Sequence, residues 1–176
     1  NYIKALEDAG LEMLTDDETH EVYGAYDFLT GVLIQFAYST QTGYQGIVIF
    51  AYLASEPFKK SDKLPSFASS LPEYVEEGKT FVYYYSSRNV TTTQMGTFTL
   101  HTILVPGVSD NACEIYKGLL EAKGFTVQYG QDDKGNKDTS LYIAQNTSTN
   151  TFLQFYLENY KNPTIGQSLV IGLFEF

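Results

Sequence analysis

The nucleophile–base pair that the residue types allow is Cys113 with His101. Cys113 falls in the first turn of a predicted helix, where free amides would favour the thiolate. His101 falls on the strand just before it, so the two could act as a thiol hydrolase. No nucleophile signature surrounds Cys113, however. Strand alternation puts His101 with Thr97 and Thr99, on the side away from Phe98, Leu100 and Leu104. The helix is expected to cover the latter three. A small buried cysteine is the plainer reading, and no catalytic residue is assigned.

Oxygen-rich loops occur at Asp16-Asp17-Glu18 and at Asp132-Asp133, the latter followed by Asn136 and Asp138. Such loops could hold Ca²⁺, but the EF-hand spacing is absent. His20 stands beside Glu18 and Glu21 as a lone imidazole, too little for a transition-metal site. No Gly-rich phosphate loop, serine elbow, His-Glu-x-x-His or Cys-x-x-Cys occurs. No metal and no cofactor is expected. Recognition chemistry is better represented. Tyr83-Tyr84-Tyr85 places Tyr83 and Tyr85 on one strand face, and tyrosine offers large contact area with a polar tip. With Gln154, Tyr156 and His101 these residues form the expected binding set.

Composition narrows the classes. The net charge is −10, with only 11 Lys and Arg in 176 residues. Nucleic-acid binding draws most of its affinity from cations, so direct binding to DNA or RNA is excluded as an expectation. The acidity leaves open an inhibitor or nucleic-acid mimic. One cysteine forbids an internal disulfide, and no apolar run reaches the ~20 residues of a spanning helix. The abundance of Tyr (15) and Phe (12) favours strands.

The elements that must position these residues follow from periodicity and turn chemistry. Residues 2–10 read as a helix with Ile3, Leu6 and Ala9 on one face. Gly10-Leu11 ends it, because glycine takes the left-handed conformation and the next apolar residue folds back. Strands are expected over 22–28, 32–39 and 46–53. Residues 55–79, with Pro57, Pro65 and Pro72, read as an irregular linker. Strands over 81–86 and 97–105 precede a second helix over 110–123, stopped by Gly124-Phe125. Strands over 125–129, 140–145, 151–158 and 167–176 close the chain.

The chain repeats itself. Tyr2, Leu6-Glu7 and Gly10-Leu11 match Tyr116, Leu120-Glu121 and Gly124-Phe125. The match continues from Tyr23-Gly24-Ala25-Tyr26-Asp27 to Tyr142-Ile143-Ala144-Gln145-Asn146. It runs on from Leu33-Ile34-Gln35-Phe36 to Phe152-Leu153-Gln154-Phe155, and from Gln45 to Ile49 onto Gln167 to Ile171. Insertions fall in turns, as a structural repeat requires. The expected fold is α+β, two tandem copies of a (β)αβββ unit with mainly antiparallel sheet and helices on one face. The copies span 1–54 and 80–176, the first lacking its leading strand, as if cut from a longer parent.

Tyr116, Leu120 and Gly124-Phe125, followed by Tyr142, Ala144 and Asn146, resemble the tandem α+β modules of uncharacterised bacterial secreted proteins and lipoproteins. The resemblance implies an extracytoplasmic place and no particular activity. The expected function is therefore a non-catalytic binding or structural module. It would contact another protein or a cell-surface polymer through the tyrosine-bearing sheet face.

Overall fold

The computed structural model describes residues 2–14, 22–39, 45–93, 95–131 and 134–176. The fold is α+β with antiparallel sheets, and the chain divides into two units. Unit 1 holds residues 1–58 with 161–164, and unit 2 holds 59–160 with 165–176.

Unit 1 opens with helix α1 (Tyr2–Asp8). Four strands follow, β1 (Glu12–Met13), β2 (Val22–Asp27), β3 (Val32–Ser39) and β4 (Gly46–Leu53), in the sheet order β1-β2-β3-β4. The helix stops as its sequence requires. Gly10 has φ +88°, its amide donates to Glu7 O (2.9 Å), and the Leu11 amide donates to Leu6 O (3.0 Å). Leu6 and Leu11 meet Ala25 and Phe36 in a small core. Phe36 is held by two rings: Tyr2 of α1 stands edge-on to it (5.0 Å) and Tyr23 of β2 stacks on it (5.3 Å). The β2–β3 turn is tied by Asp27, whose Oδ1 accepts from the Leu29 (3.0 Å) and Thr30 (3.3 Å) amides.

Unit 2 begins with β5 (Lys59–Ser61), a short 3-10 turn at Ser66–Ala68, β6 (Tyr83–Thr92) and β7 (Gly96–Pro106). Helix α2 (Ala112–Ala122) follows, then β8 (Thr126–Gln131), β9 (Lys137–Asn146), β10 (Thr151–Asn159) and β11 (Gln167–Glu175). The seven strands lie in the order β5-β6-β7-β11-β10-β9-β8, each pair antiparallel. Strand β8 thus runs parallel to β7 with three strands between, and α2 is the crossover such a connection needs.

The helix stop, the rings and the turn of unit 2 use the same devices. Gly124 has φ +83°, and the Phe125 amide donates to Leu120 O (3.1 Å). Tyr116 stands edge-on to Phe155 (5.3 Å), on which Tyr142 stacks (4.9 Å). Asn146 Oδ1 accepts from the Ser148 (3.0 Å) and Thr149 (3.3 Å) amides.

Three expectations need correction. Residues 55–79 are not a linker. The units divide after Phe58, and Ala68, Leu71 and Tyr74 lie in the core of unit 2 with Phe81. Their hydrophobic side chains show no helix or strand period, and the prolines between them read as a loop. Second, β6 does not end at Ser86 as expected but continues through Arg88 and Asn89, because cross-strand partners on β7 pair with every residue from Tyr84 to Thr92. Third, the face of β7 that carries His101 is not open. Ile103 and Val105 share it and are wholly buried beneath α2 and the segment from 64 to 81.

Candidate functional site

Unit 2 gathers its polar chemistry around His101. In the strand register His101 lies between Ser87 of β6 and Leu173 of β11. Its imidazole is 6% exposed and stacks on Phe67 with ring centres 4.2 Å apart. Nδ1 lies 2.7 Å from Ser87 Oγ, and Nε2 lies 3.0 Å from Glu175 Oε2. A cavity of about 290 Å³ opens beside the ring, with Phe67, Ser70, Thr151, Phe174 and Glu175 in its wall. Hydroxyl, imidazole and carboxylate stand in the order of a proton relay. Ser87 nevertheless sits in the middle of a paired strand, not on the sharp turn that thrusts a nucleophilic serine towards substrate. With both nitrogens engaged, the imidazole ties β6 to the end of β11.

Cys113 lies on the same side of the sheet as His101, contrary to the alternation argument, but at the other end of it. The Leu157 backbone amide faces its sulfur. Leu157 pairs with Leu169, which pairs with Val105, four residues along β7 from His101. At ~3.3 Å per residue that is about 13 Å. Burial, helped by the Glu114 charge, pushes the thiol up to about 11. A protonated, buried thiol this far from the imidazole is a core residue, so the Cys113/His101 hydrolase pair is not formed.

The expected binding set divides between two faces. Tyr83, Tyr85 and His101 point to the core side, where Tyr83 is 4% exposed and Tyr85 packs against the cluster. Gln154 and Tyr156 point to the other side, opposite Gly172 and Val170, and both are half-buried. The five residues do not make one surface. The physical reason is register, which carries Gln154 through Gly172 to Thr102, the residue after His101, while the cap from 64 to 81 covers the tyrosine side of β6.

The acidic loops Asp16-Asp17-Glu18 and Asp132-Asp133, and His20 with Glu21, lie outside the described residues. Asp138 spends its Oδ1 on the Ser140 amide and hydroxyl. Among the described residues no group of three metal-ligating side chains occurs, and no helix is long and apolar enough to cross a membrane.

The surface that strand reasoning overlooked is in unit 1. Strand β4 pairs with β3 over its whole length, and its other edge has no partner among the described residues. Ile47, Ile49, Phe50, Tyr52 and Leu53 of β4 are exposed, as is Tyr38 of β3. Ile47 and Ile49 lie on the face that carries Phe36, while Phe50 and Tyr52 lie on the reverse. A signal was present in the sequence: from Phe28 to Ser55 no residue carries a charge. Apolar patches of this kind mark contact sites on soluble proteins.

Comparison with protein-family models, curated proteins and solved structures finds no match.

Proposed function

We propose that the chain is a non-catalytic binding or structural module of an extracytoplasmic protein, and that it contacts its partner through the β3–β4 hairpin of unit 1. The observation that carries this reading is the exposure of Ile47, Ile49, Phe50 and Tyr52 on a charge-free strand, one edge of which has no partner among the described residues. Such an edge offers backbone donors and acceptors for strand addition, and alternate side chains for specificity. In the same reading, the units are tandem copies of one (β)αβββ element. Support comes from the matched triads Tyr2–Tyr23–Phe36 and Tyr116–Tyr142–Phe155 and from the matched glycine stops.

The test is selection of random displayed peptides on the immobilised chain. Enriched peptides should alternate apolar and polar residues and lose binding to Phe50→Lys and Tyr52→Lys variants. A Tyr156→Lys variant should retain them. Enrichment that follows Tyr156 instead returns the contact to unit 2, and no enrichment defeats the reading.

A further inference from the structure

The cavity beside His101 lies wholly within unit 2, and its chemistry exceeds what tying β6 to β11 requires. Three neighbouring strands contribute to it, with His101 of β7, Glu175 of β11 and Thr151 of β10. The capping segment adds Phe67 and Ser70, and the turn between β9 and β10 adds Thr149 and Asn150. Its volume of about 290 Å³ stands at the lower end for small-molecule sites and suits a ligand of one ring.

Apart from Glu175 and the imidazole, the polar groups of the wall are neutral. Thr151 Oγ1 lies 2.8 Å from Thr149 Oγ1 and 3.5 Å from Ser70 Oγ, so three hydroxyls stand in a row. Glu175 accepts from His101 Nε2 with one carboxylate oxygen (3.0 Å), and the other has no partner among the described residues. Among the described residues no lysine or arginine lines the cavity. An anion would therefore face the carboxylate with no ammonium or guanidinium to offset it. A cation would suit the carboxylate, but a cation only donates, whereas Ser70, Thr149, Thr151 and Asn150 present donors as well as acceptors. A ligand hydroxyl does both, as these groups do.

Apolar surface lies among the polar groups. Phe67 turns one face to His101, and Phe174 and Phe176 stand within 14° of parallel. Phe176 is 71% exposed, a large apolar ring left in water at the cavity. A pyranose has the matching surfaces: C–H groups on its faces, which pack on aromatic rings, and hydroxyls round its rim. A second recess of about 110 Å³ shares Asn150, Thr151 and Phe176 with the first and adds Gln145 and Phe152. Phe176 borders both, where one sugar unit would follow another.

We propose that this cavity binds the ring of a neutral sugar, either free or as a unit of a glycan chain whose next unit lies in the second recess. The site rests on nothing in unit 1, and the strand contact at β4 stands or falls separately.

The test is binding of the full chain to an array of neutral, amino and uronic oligosaccharides. Calorimetric titration follows, with the neutral member bound best and with its monosaccharide. Neutral members should bind, and Phe176→Ala and Glu175→Gln should each weaken the titrated affinity at least about tenfold. Phe176 is exposed, and a glutamine still accepts from His101 Nε2, so both variants should keep the fold. Glu158→Gln, which removes an exposed carboxylate elsewhere on β10, should leave the affinity unchanged. A chain bound more tightly than its monosaccharide occupies both recesses, and equal affinities give the cavity to a free sugar. Preference for amino or uronic members, binding that either cavity variant leaves unchanged, or no binding by any neutral member overturns the inference.

Discussion

Two residues in unit 2 show how single side chains set its stability. The Tyr116 hydroxyl is fully buried and has no hydrogen-bond partner among the described residues, while its ring closes on Phe155. An unmatched buried hydroxyl costs free energy that a hydrogen atom does not. Tyr116→Phe should therefore stabilise the protein by about 1 kcal/mol in urea denaturation. A loss of that size would mean that the hydroxyl has a partner. Glu76 is the opposite case. Its carboxylate receives the Tyr74 hydroxyl, the Ser109 amide and hydroxyl (both 2.9 Å), and the Lys79 ammonium (2.6 Å). Burial alone would raise it, but these donors outweigh burial and hold it at about 2, against 4.5 for a free glutamate. A depressed folded value means that its contribution is complete above pH 4.5 and is lost as pH falls towards 2. Glu76→Gln should lower stability at neutral pH by about 1–2 kcal/mol. It should also flatten the decline between those two pH values in a series of thermal melts, and a decline as steep as that of the wild type would refute the assignment.

Helices and strands here were legible to the extent that their causes are local. The frame of Tyr, Leu-Glu and Gly marks both helices and both stops, because a stop needs only a glycine and a following apolar residue. At Gly124, φ +83°, a Cβ would make only an ordinary van der Waals contact, with Asn146 Nδ2 at 3.7 Å, so Gly124→Ala meets only backbone strain and should cost about 1 kcal/mol. Gly118, exposed in the middle of α2 with open space at the Cβ position, should gain about 0.5–1 kcal/mol on the same change. Opposite signs from one substitution, read by urea denaturation, check the helix boundary. Alternation likewise sorted His101 from Leu100 correctly. Which face is covered is not a local property. The cap that buries Tyr83 comes from residues 64–81, and Phe67, which stacks on His101, lies more than thirty positions from it in the chain. Nothing in the spacing of Phe67, Ala68, Leu71 and Tyr74 told core from loop. The binding set divides between two faces because the register that joins β10 to β7 through β11 is not local either, and the edge of β4 was passed over because alternation says nothing of which strand lies outermost.

At the scale of the molecule the two units differ in how much core each has. Among the described residues the cluster of unit 1 has four buried members, Leu6, Leu11, Ala25 and Phe36, whereas that of unit 2 has twenty. Burial of apolar side chains is the main favourable term against chain entropy, so unit 1 taken alone has far less to hold it folded. Its β4 leaves both faces largely in water, while β11 in unit 2 is closed on both edges. Native-state hydrogen exchange should then give two classes of amide. Those of β7, β10 and β11 should exchange only by the largest opening, and those of β2 and β3 by a smaller, sub-global one. Added urea should lower the protection of the second class first. One common opening energy for all these strands would mean that unit 1 draws its stability from something other than its own small core.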